Sequence, residues 1–419
     1  MDYEKLSKRL PRLLCMANRI AKMKRTPDLF CEKMFWQGRK AYLIGNDLVR
    51  LVHLTGGGHI AEFRFAESSG MPTLNPLWTP PWKTIEPYRY RPTSHGARYG
   101  PPVIGRLLSG IVGHIVCLDF FGPPSEEEAR EGLSVHGEAP VLRWRETKRR
   151  VSSRAATLTL SVKLPVASLS FSREVKLLRG ESVAYFKETV KNERKADHFF
   201  QWQQHVTIGP PFLARQECKV AISATKAKTY PHGYEGKALL DSAREFQWPD
   251  APGCGGRTAD LREPLSRRGA GFLATALLNP RRKTQFVTAL NIRHRLLIGY
   301  CFNRSDYPWV TLWEENCART EPPWLGKTQA RGLEFGSSPF LLRREALTLG
   351  PLFGTPTLCQ VAARGQKTID YVAFLAQVPR GFHAVHDIEI AESKILVRGP
   401  RDKDLVHVPA SGLAGTGLL

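Results

Sequence analysis

The sequence predicts an all-β protein: a large antiparallel β-sandwich with few short helices. From about residue 35 to residue 399, short runs with period-two alternation recur, among them ATLTLSVKL, SLSFSREVKLL, QFVTALNI and LLIGYCF. Turn-forming residues separate these runs, as at Gly45-Asn46-Asp47, which indicates a hairpin. Many short strands with turn signals between them are typical of a sandwich or barrel, and no internal repeat indicates a propeller.

Three parts of the chain are expected. Residues 1–34 should form a basic, helical N-terminal extension, because apolar residues lie at helical spacing on both sides of Pro11. Residues 35–400 should form the sandwich, and residues 401–419 a C-terminal tail. Within the sandwich, SEEEAREGL is the clearest helix, since Ser125 suits an N-cap and acidic residues fill the first turn.

Composition indicates a folded protein without a membrane span. The 419 residues are 42% hydrophobic, and no apolar run reaches the roughly 18 residues that a transmembrane helix needs. The N-terminus mixes charges throughout and lacks the apolar core of a signal peptide, so we expect a cytoplasmic location. The eight scattered cysteines, with no CxxC pair, fit reduced thiols in that compartment.

The formal net charge of +22 could indicate a nucleic acid or another anionic surface as a partner. The Lys and Arg residues are, however, spread along the chain and mixed with Asp and Glu, and no recognition motif accompanies them. We therefore expect no nucleic-acid partner, because dispersed charge carries little specificity. An anionic sugar would account for the charge as well.

The stretch HFFQWQQHVTI indicates a strand with an unusually polar face. Gln201, Gln203 and His205 share that face if the whole stretch is one strand. Such groups are costly to bury without partners. They could line a groove that binds a polyhydroxylated ligand, or they could form the solvent-facing side of a sheet; the sequence leaves both open.

A second strand, around WVTLWEE, places Trp309, Trp313 and Glu315 on one face. Aromatic rings beside a carboxylate suit a sugar, whose C–H face packs on a ring while its hydroxyls donate to the acid. Glu334 follows in RGLEFGSSP between glycines that permit close approach. Glu315 could equally be an exposed charge at a strand end, and Glu334 a partner of Arg331.

His136, in LSVHGEAPVLRW, lies in a segment that is not helical, and its neighbours alone do not assign it a role. No metal site is predicted, because His383 and His386 lack a third ligand nearby. His114 lies in an apolar run and is expected to be a structural histidine. The triple glycine of LTGGGHI lacks the ending of a phosphate loop, and no serine-nucleophile signature occurs.

The order of these segments, HGEA with a later Trp, then QWQQHVTI, then GLEFGSSP, resembles the galactose mutarotase-like (aldose 1-epimerase) superfamily over about residues 35–400. The resemblance implies a large antiparallel sandwich with an open sugar groove contacted by two histidines and a glutamate. His136 and His205 resemble the two histidines, and Glu334 resembles the late catalytic glutamate. Asn75, in NPLWTPPW, lies where the early binding loop is expected.

The sequence departs from the motifs of this superfamily in two places. Glu138 follows HG, where the sugar epimerases continue with another glycine or with an arginine a few places on. The early sugar-binding arginine has no clear counterpart, and Arg98 in HGARYG is the candidate. The fold therefore carries over better than the substrate or the activity.

The activity that the resemblance implies is the interconversion of sugar anomers by ring opening, with no metal or organic cofactor. Glu334 would remove the proton of the C1 hydroxyl, His205 would protonate the ring oxygen, and His136 would orient or assist. A carbohydrate, free or anionic, is the expected partner. Substrate contacts are expected from Arg98, Gln203, Trp309, Trp313, Glu315 and Asn75.

Two other functions remain open at this stage. A carbohydrate-binding protein could keep the groove without turnover, which Glu138 and the missing arginine favour. A polysaccharide lyase or hydrolase sandwich would look alike in sequence. The catalytic interpretation requires His136, His205 and Glu334 to converge within about one sugar ring. The sequence does not indicate an oligomeric state.

Overall fold

The computed structural model describes residues 29–234, 238–340 and 350–419. These residues form two large antiparallel sheets packed face to face, which confirms the predicted β-sandwich. None of the helices in the described part of the chain combines the length and the apolar character needed to cross a lipid bilayer.

The strands, in chain order, are β1 (Phe30–Trp36), β2 (Arg39–Gly45), β3 (Val49–Leu54), β4 (Ile60–Phe65), β5 (His114–Cys117), β6 (Arg145–Val151), β7 (Ala155–Leu164), β8 (Leu169–Leu178), β9 (Val183–Asn192), β10 (His198–Phe200), β11 (Gln203–Ile208), β12 (Cys218–Ile222), β13 (Ala224–Thr229), β14 (Glu245–Gln247), β15 (Asp250–Gly253), β16 (Arg257–Asp260), β17 (Ala270–Leu278), β18 (Thr284–Asn291), β19 (Leu296–Asn303), β20 (Trp309–Asn316), β21 (Gln329–Gly336), β22 (Cys359–Val361), β23 (Gln366–Gln377), β24 (Asp387–Ala391), β25 (Lys394–Arg398) and β26 (Leu405–Pro409). The described α-helices are α1 (Pro92–Tyr99), α2 (Pro102–Leu108) and α3 (Glu126–Arg130).

The first sheet has eleven strands in the order β1-β2-β3-β4-β5-β11-β21-β20-β17-β13-β14, and the second has eight in the order β12-β18-β19-β23-β9-β8-β7-β6. Strand β7 shows why they pack together, since its alternate residues, such as Leu158 and Leu160, are buried between the sheets. Strands β11 and β20 are buried on both faces, so the outer face of the first sheet is covered as well.

Different elements cover the two outer faces. Residues around α2, including Leu107 and Ile111, form an apolar cluster with Ile115 and Trp313 on the outer face of the first sheet. Strands β24, β25 and β26 form a separate small sheet that packs its apolar residues on the outer face of the second sheet. Part of each outer face is therefore shielded, whereas β6 of the second sheet remains exposed.

The predicted parts of the chain agree only partly with the structure. Of the expected extension, residues 1–28 lie outside the described residues, and β1 already begins at Phe30. Within the expected C-terminal tail, residues 405–409 form β26, which pairs with β25, and Leu413 is buried. The α3 helix is as predicted, because Ser125 and Glu128 form a reciprocal capping box.

The helices α1 and α2 were not predicted from the sequence. Each begins with a proline at its first helical position, Pro92 and Pro102. Proline is favoured there because its missing N–H would lack a helical partner anyway. Proline is also common in turns, so these prolines do not identify a helix in the sequence.

A buried ion pair lies between the sheets. Arg173 Nε donates to Glu188 Oε1 at 2.6 Å, and both side chains are fully buried. Glu188 also accepts hydrogen bonds from the Trp202 indole and the Tyr371 hydroxyl. Gln204, on β11 of the other sheet, donates to Glu188 Oε2 at 2.6 Å and accepts from Arg173 at 3.2 Å. Charged groups in this position are tolerated because nearly every lone pair and proton has a partner.

Arg173→Met should lower the free energy of unfolding by about 3–5 kcal/mol, because it leaves Glu188 buried without its counter-charge. Urea unfolding monitored by tryptophan fluorescence measures this loss. Arg130→Met is the control, since Arg130 forms an exposed pair with Glu126 and should change stability by less than about 1 kcal/mol. Equal effects of the two variants would contradict a structural role for the buried pair.

Candidate functional site

A cavity of about 670 Å³ opens in the cover of the first sheet. Its floor contains His136, His205 and Glu334, and Trp313 and Trp324 are among its aromatic lining. The three polar residues come from a loop, from β11 and from β21, at positions separated by at least 69 residues in the sequence. The structure thus brings together the three residues expected to act as a group.

Strand register explains why His205 and Glu334 meet. His205 pairs with Glu334 across β11 and β21, so both side chains leave the sheet on the same face. His205 Nε2 lies 3.3 Å from Glu334 Oε1. Thr311 on β20 is the next residue in the same row, but its hydroxyl donates to the Pro339 carbonyl. The histidine and the carboxylate therefore form the polar centre of this row.

His136 reaches the centre from a loop with a left-handed backbone conformation at φ 67°. Its ring stacks on Phe121 with centroids 5.4 Å apart, and its centroid lies 5.1 Å from that of His205. Its Nδ1 accepts a hydrogen bond from the Gly122 N–H at 3.0 Å. In the neutral ring the proton must then lie on Nε2, which makes this atom a hydrogen-bond donor.

The tautomer of His205 is set less strictly. Its Nδ1 lies 3.1 Å from Thr207 Oγ1, and either atom can donate in this contact. When the Thr207 hydroxyl donates, Nε2 carries the proton and faces the Glu334 carboxyl. The 3.3 Å contact does not meet hydrogen-bond geometry, and Glu334 Oε1 is buried without a hydrogen-bond partner, so this atom is available to a ligand that donates a hydrogen bond.

Burial controls the protonation of all three groups. It lowers the pKa of His205 to about 4, and with the nearby charge of His205 it holds the pKa of His136 well below the usual range. Burial also raises the pKa of the Glu334 carboxyl well above its ordinary value. A low-dielectric site disfavours every charged form, so burial favours neutral imidazoles and a protonated carboxyl at these three positions.

Two glycines of RGLEFG make room for polar side chains. A Cβ at Gly332 would lie 2.1 Å from Glu334 Oε1, and a Cβ at Gly336 would lie 1.7 Å from Gln203 Oε1. Gln203 donates to the Glu334 backbone carbonyl at 2.9 Å. The glycines were expected to permit close approach, and the structure shows that what approaches them is the chain's own carboxyl and amide.

Three of the expected substrate contacts lie elsewhere. Asn75 is a structural residue that accepts from the Phe63 N–H and donates to backbone carbonyls. Trp309 donates to the Pro356 carbonyl and does not line the cavity. Arg98 is exposed on α1, outside the cavity lining, so it does not supply the missing arginine. The structure therefore does not bring these three side chains to the cavity.

Glu315 lies outside the cavity lining, and its carboxylate has partners within the protein. It accepts a hydrogen bond from the Tyr234 hydroxyl at 2.6 Å and others from the backbone N–H groups of Ala318 and Arg319. Glu315 thus orders the cavity wall from behind. It is neither an exposed strand-end charge nor part of the cavity surface.

The predicted segment from residue 198 to residue 208 is not one strand, because β10 ends at Phe200 and β11 begins at Gln203. Gln201, between them, accepts from the Phe121 N–H and donates to Ser338 Oγ. Glu138, the departure after HG, accepts from the Ala167 N–H at 2.9 Å. Its carboxylate holds the turn between β7 and β8 and has a structural role.

The sequence interpretation missed Arg319, Tyr234 and Trp324, which all line the cavity. The Arg319 guanidinium lies 4.9 Å from the Trp324 ring centroid and 5.2 Å from that of Tyr234. Its Nε is 3.9 Å from Glu315 Oε2. Arg319 follows β20 in an irregular segment, where the sequence carries no pattern that would have selected it.

Within the ranges that the structure describes, no group of three His, Cys, Asp or Glu side chains has the geometry to hold a metal ion. This statement includes the neighbourhood of His383 and His386, which were considered as ligands.

The fold is similar to that of several solved structures. A candidate aldose 1-epimerase from Klebsiella pneumoniae subsp. pneumoniae MGH 78578 superposes with a TM-score of 0.58 at 14% identity, over 82% of this chain and 83% of the other. A galactose mutarotase-like protein from Clostridium acetobutylicum gives 0.55 at 12% identity, over 84% and 99%. A candidate mutarotase from Salmonella typhimurium gives 0.53 at 11% identity, over 86% and 99%.

No family model matches the sequence, and the comparison with curated proteins found no match. The similarity to solved structures shows that this chain has the galactose mutarotase-like fold, as the sequence resemblance implied. At 11–14% identity it carries the fold alone.

Glu334→Gln should raise the free energy of unfolding near pH 7, by an amount that shrinks toward pH 4. The unfolded carboxyl ionises at a pKa of about 4.3, whereas burial raises the folded pKa. As the pH rises through this window, ionisation favours only the unfolded chain, so wild-type stability falls and the glutamine variant is spared.

Urea unfolding at pH 4.5, 6 and 8 tests this dependence, with Glu126→Gln on the exposed face of α3 as the control. A stability difference for Glu334→Gln that does not depend on pH would contradict a raised pKa.

Proposed function

We propose that the protein interconverts the anomers of a reducing sugar by general acid–base ring opening, as an isomerase of the aldose 1-epimerase type. The observation that carries the proposal is the convergence of His136, His205 and Glu334 on one cavity floor. His205 Nε2 lies 3.3 Å from Glu334 Oε1, and the two imidazole centroids are 5.1 Å apart. These distances are short enough for one sugar ring to contact all three residues.

The reaction needs one proton removed and one proton delivered. The Glu334 carboxylate takes the proton of the C1 hydroxyl, the O–H electrons form the C1 carbonyl, and the bond between C1 and the ring oxygen breaks. Imidazolium His205 delivers its proton to the ring oxygen. Rotation of the open-chain aldehyde and reversal of the two transfers close the ring with the other configuration, so atoms and charge balance.

The pair requires one proton at every stage. Before ring opening Glu334 is ionised and His205 is protonated, and afterwards Glu334 holds the proton and His205 is neutral. Burial favours the second state in the empty site, because both groups are then uncharged. A bound sugar supplies hydroxyl groups to the carboxylate and the imidazolium, which offsets part of the cost of charging them.

The other residues would hold the substrate. His136 Nε2 can donate to a sugar oxygen, since its Nδ1 is already occupied by Gly122. Trp313 offers an aromatic face for the C–H groups of the ring. Arg319 brings a guanidinium to the cavity in the role that was expected from Arg98.

A second candidate function is sugar binding without turnover. The observation that favours it is the burial of Glu334, because a carboxyl that stays protonated cannot accept the proton of the C1 hydroxyl. The two candidates share the same site and differ in whether the bound sugar shifts the proton from Glu334 to His205.

Glu334→Gln should reduce the exchange of α and β anomers by about 10²–10⁴-fold, because the amide removes the base but keeps the shape of the side chain. Exchange NMR of the anomeric protons measures the rate over a panel of aldoses, and sugar binding should persist. Glu126→Gln on α3 is the matched control and should retain full activity. An active Glu334→Gln protein would remove Glu334 from this role.

The rate should have a bell-shaped dependence on pH. A second proton on the His205–Glu334 pair removes the base, and loss of its single proton removes the acid. Burial lowers the pKa of His205 to about 4 and raises that of Glu334. The fall of the exchange rate at low pH therefore follows the titration of the pair and not that of a free carboxyl. Exchange rates from pH 4 to pH 10 test this, and in Glu334→Gln any residual rate should lose the bell shape.

A further inference from the structure

We infer that the sugar taken by this cavity carries an apolar substituent, a methyl or an acyl group, in place of one of its hydroxyls. The substituent would lie against an aliphatic wall formed by Ile104, Val135 and Leu273. The inference rests on the proposed function for the placement of the reacting ring and adds the substrate class.

The aliphatic wall is a feature of three separate elements. Ile104 lies on α2, Val135 lies in the loop that precedes His136, and Leu273 lies on β17. All three line the cavity and remain partly exposed, although they pack on a buried apolar cluster behind them. Aliphatic side chains that are half-exposed inside a cavity are available to a ligand, and their burial is favourable.

The wall has a defined position relative to the polar floor. The Val135 N–H donates to the Val103 carbonyl at 2.9 Å, and Ser134 Oγ donates to the same carbonyl at 2.8 Å. These bonds join the start of α2 to the segment that carries His136. Ile104 and Val135 are therefore held at a fixed position beside His136, and Leu273 lines the same cavity from β17.

A hydroxyl at that part of the sugar is unfavourable. It would lose its hydrogen bonds to water and find no polar atom among Ile104, Val135 and Leu273. A methyl or acyl group would instead gain from leaving water. The cavity of about 670 Å³ falls within the range of sites that hold ligands larger than a single ring, so a substituent has room.

Charge does not define the ligand. Arg319 and Glu321 both line the cavity, with opposite signs, and Arg319 is close to Glu315. The net charge of +22 is thus not concentrated at this site. The lining does not favour the anionic sugar that the net charge had suggested, nor the uronate substrate of a lyase.

The test compares sugars that differ in one group. We expect anomer exchange, measured as kcat/KM by exchange NMR, to be about tenfold or more faster for D-fucose than for D-galactose, for 6-deoxy-D-glucose than for D-glucose, or for N-acetyl-D-glucosamine than for D-glucose. Discrimination of this size is what one apolar group yields in a hydrophobic pocket. Equal values in all three pairs would overturn the inference and leave the proposed function intact.

Val135→Thr keeps the shape of the wall and replaces a methyl with a hydroxyl. It should therefore reduce severalfold the ratio of kcat/KM between the substituted sugar and its hydroxylated counterpart. Val151→Thr is the matched control, because Val151 is exposed on β6, and it should leave the ratio unchanged. An unchanged ratio in Val135→Thr would show that the wall does not select the substituent.

Saturation-transfer difference NMR tests the inference separately from turnover. The methyl of D-fucose or of the N-acetyl group should receive stronger saturation than the ring protons. If the protein accelerates exchange for no sugar above the rate without protein, but this methyl signal persists, the proposed catalysis fails and the ligand class stands. If methyl saturation is absent for every sugar, the inference is wrong.

Discussion

The Arg173–Glu188 ion pair is the constraint on which the placement of the site depends. Glu188 binds Gln204, so the core side of β11 is attached to the second sheet at the residue next to His205. Alternation along a strand then directs His205 to the opposite face. A polar network that joins the two sheets thereby decides which side of β11 faces the cavity, and a one-residue slip would exchange the two side chains.

Burial has two consequences at the same residues. It favours the neutral forms of His205 and Glu334, because an unsolvated charge is costly. In the proposed reaction a bound sugar must therefore shift the proton of the pair from Glu334 to His205, against the preference that burial creates. The cover that buries them includes α2, whose aliphatic residues form one wall of the same cavity. Reactivity and the proposed selectivity thus come from one structural element.

Much of the fold could be predicted from the sequence because strand alternation is local. The hairpin at Gly45-Asn46-Asp47 and the capping box at Ser125 were identified from short patterns, and the structure has both. The helices α1 and α2 could not be predicted, because prolines that begin a helix also resemble turn signals. The partners of Asn75 and Glu315 could not be predicted, because a polar side chain can bind backbone N–H groups as readily as a ligand.

By itself the sequence determined the sandwich, its strand-rich order and the three polar residues of the resemblance, since these depend on residue type and spacing. Only the tertiary structure decided that Arg319 and not Arg98 reaches the cavity, that Glu315 is occupied by Tyr234, and that His205 and Glu334 are in contact. The physical reason is that strand register and the packing of loops on the first sheet bring distant residues together. No local pattern encodes a distance between residues more than a hundred positions apart.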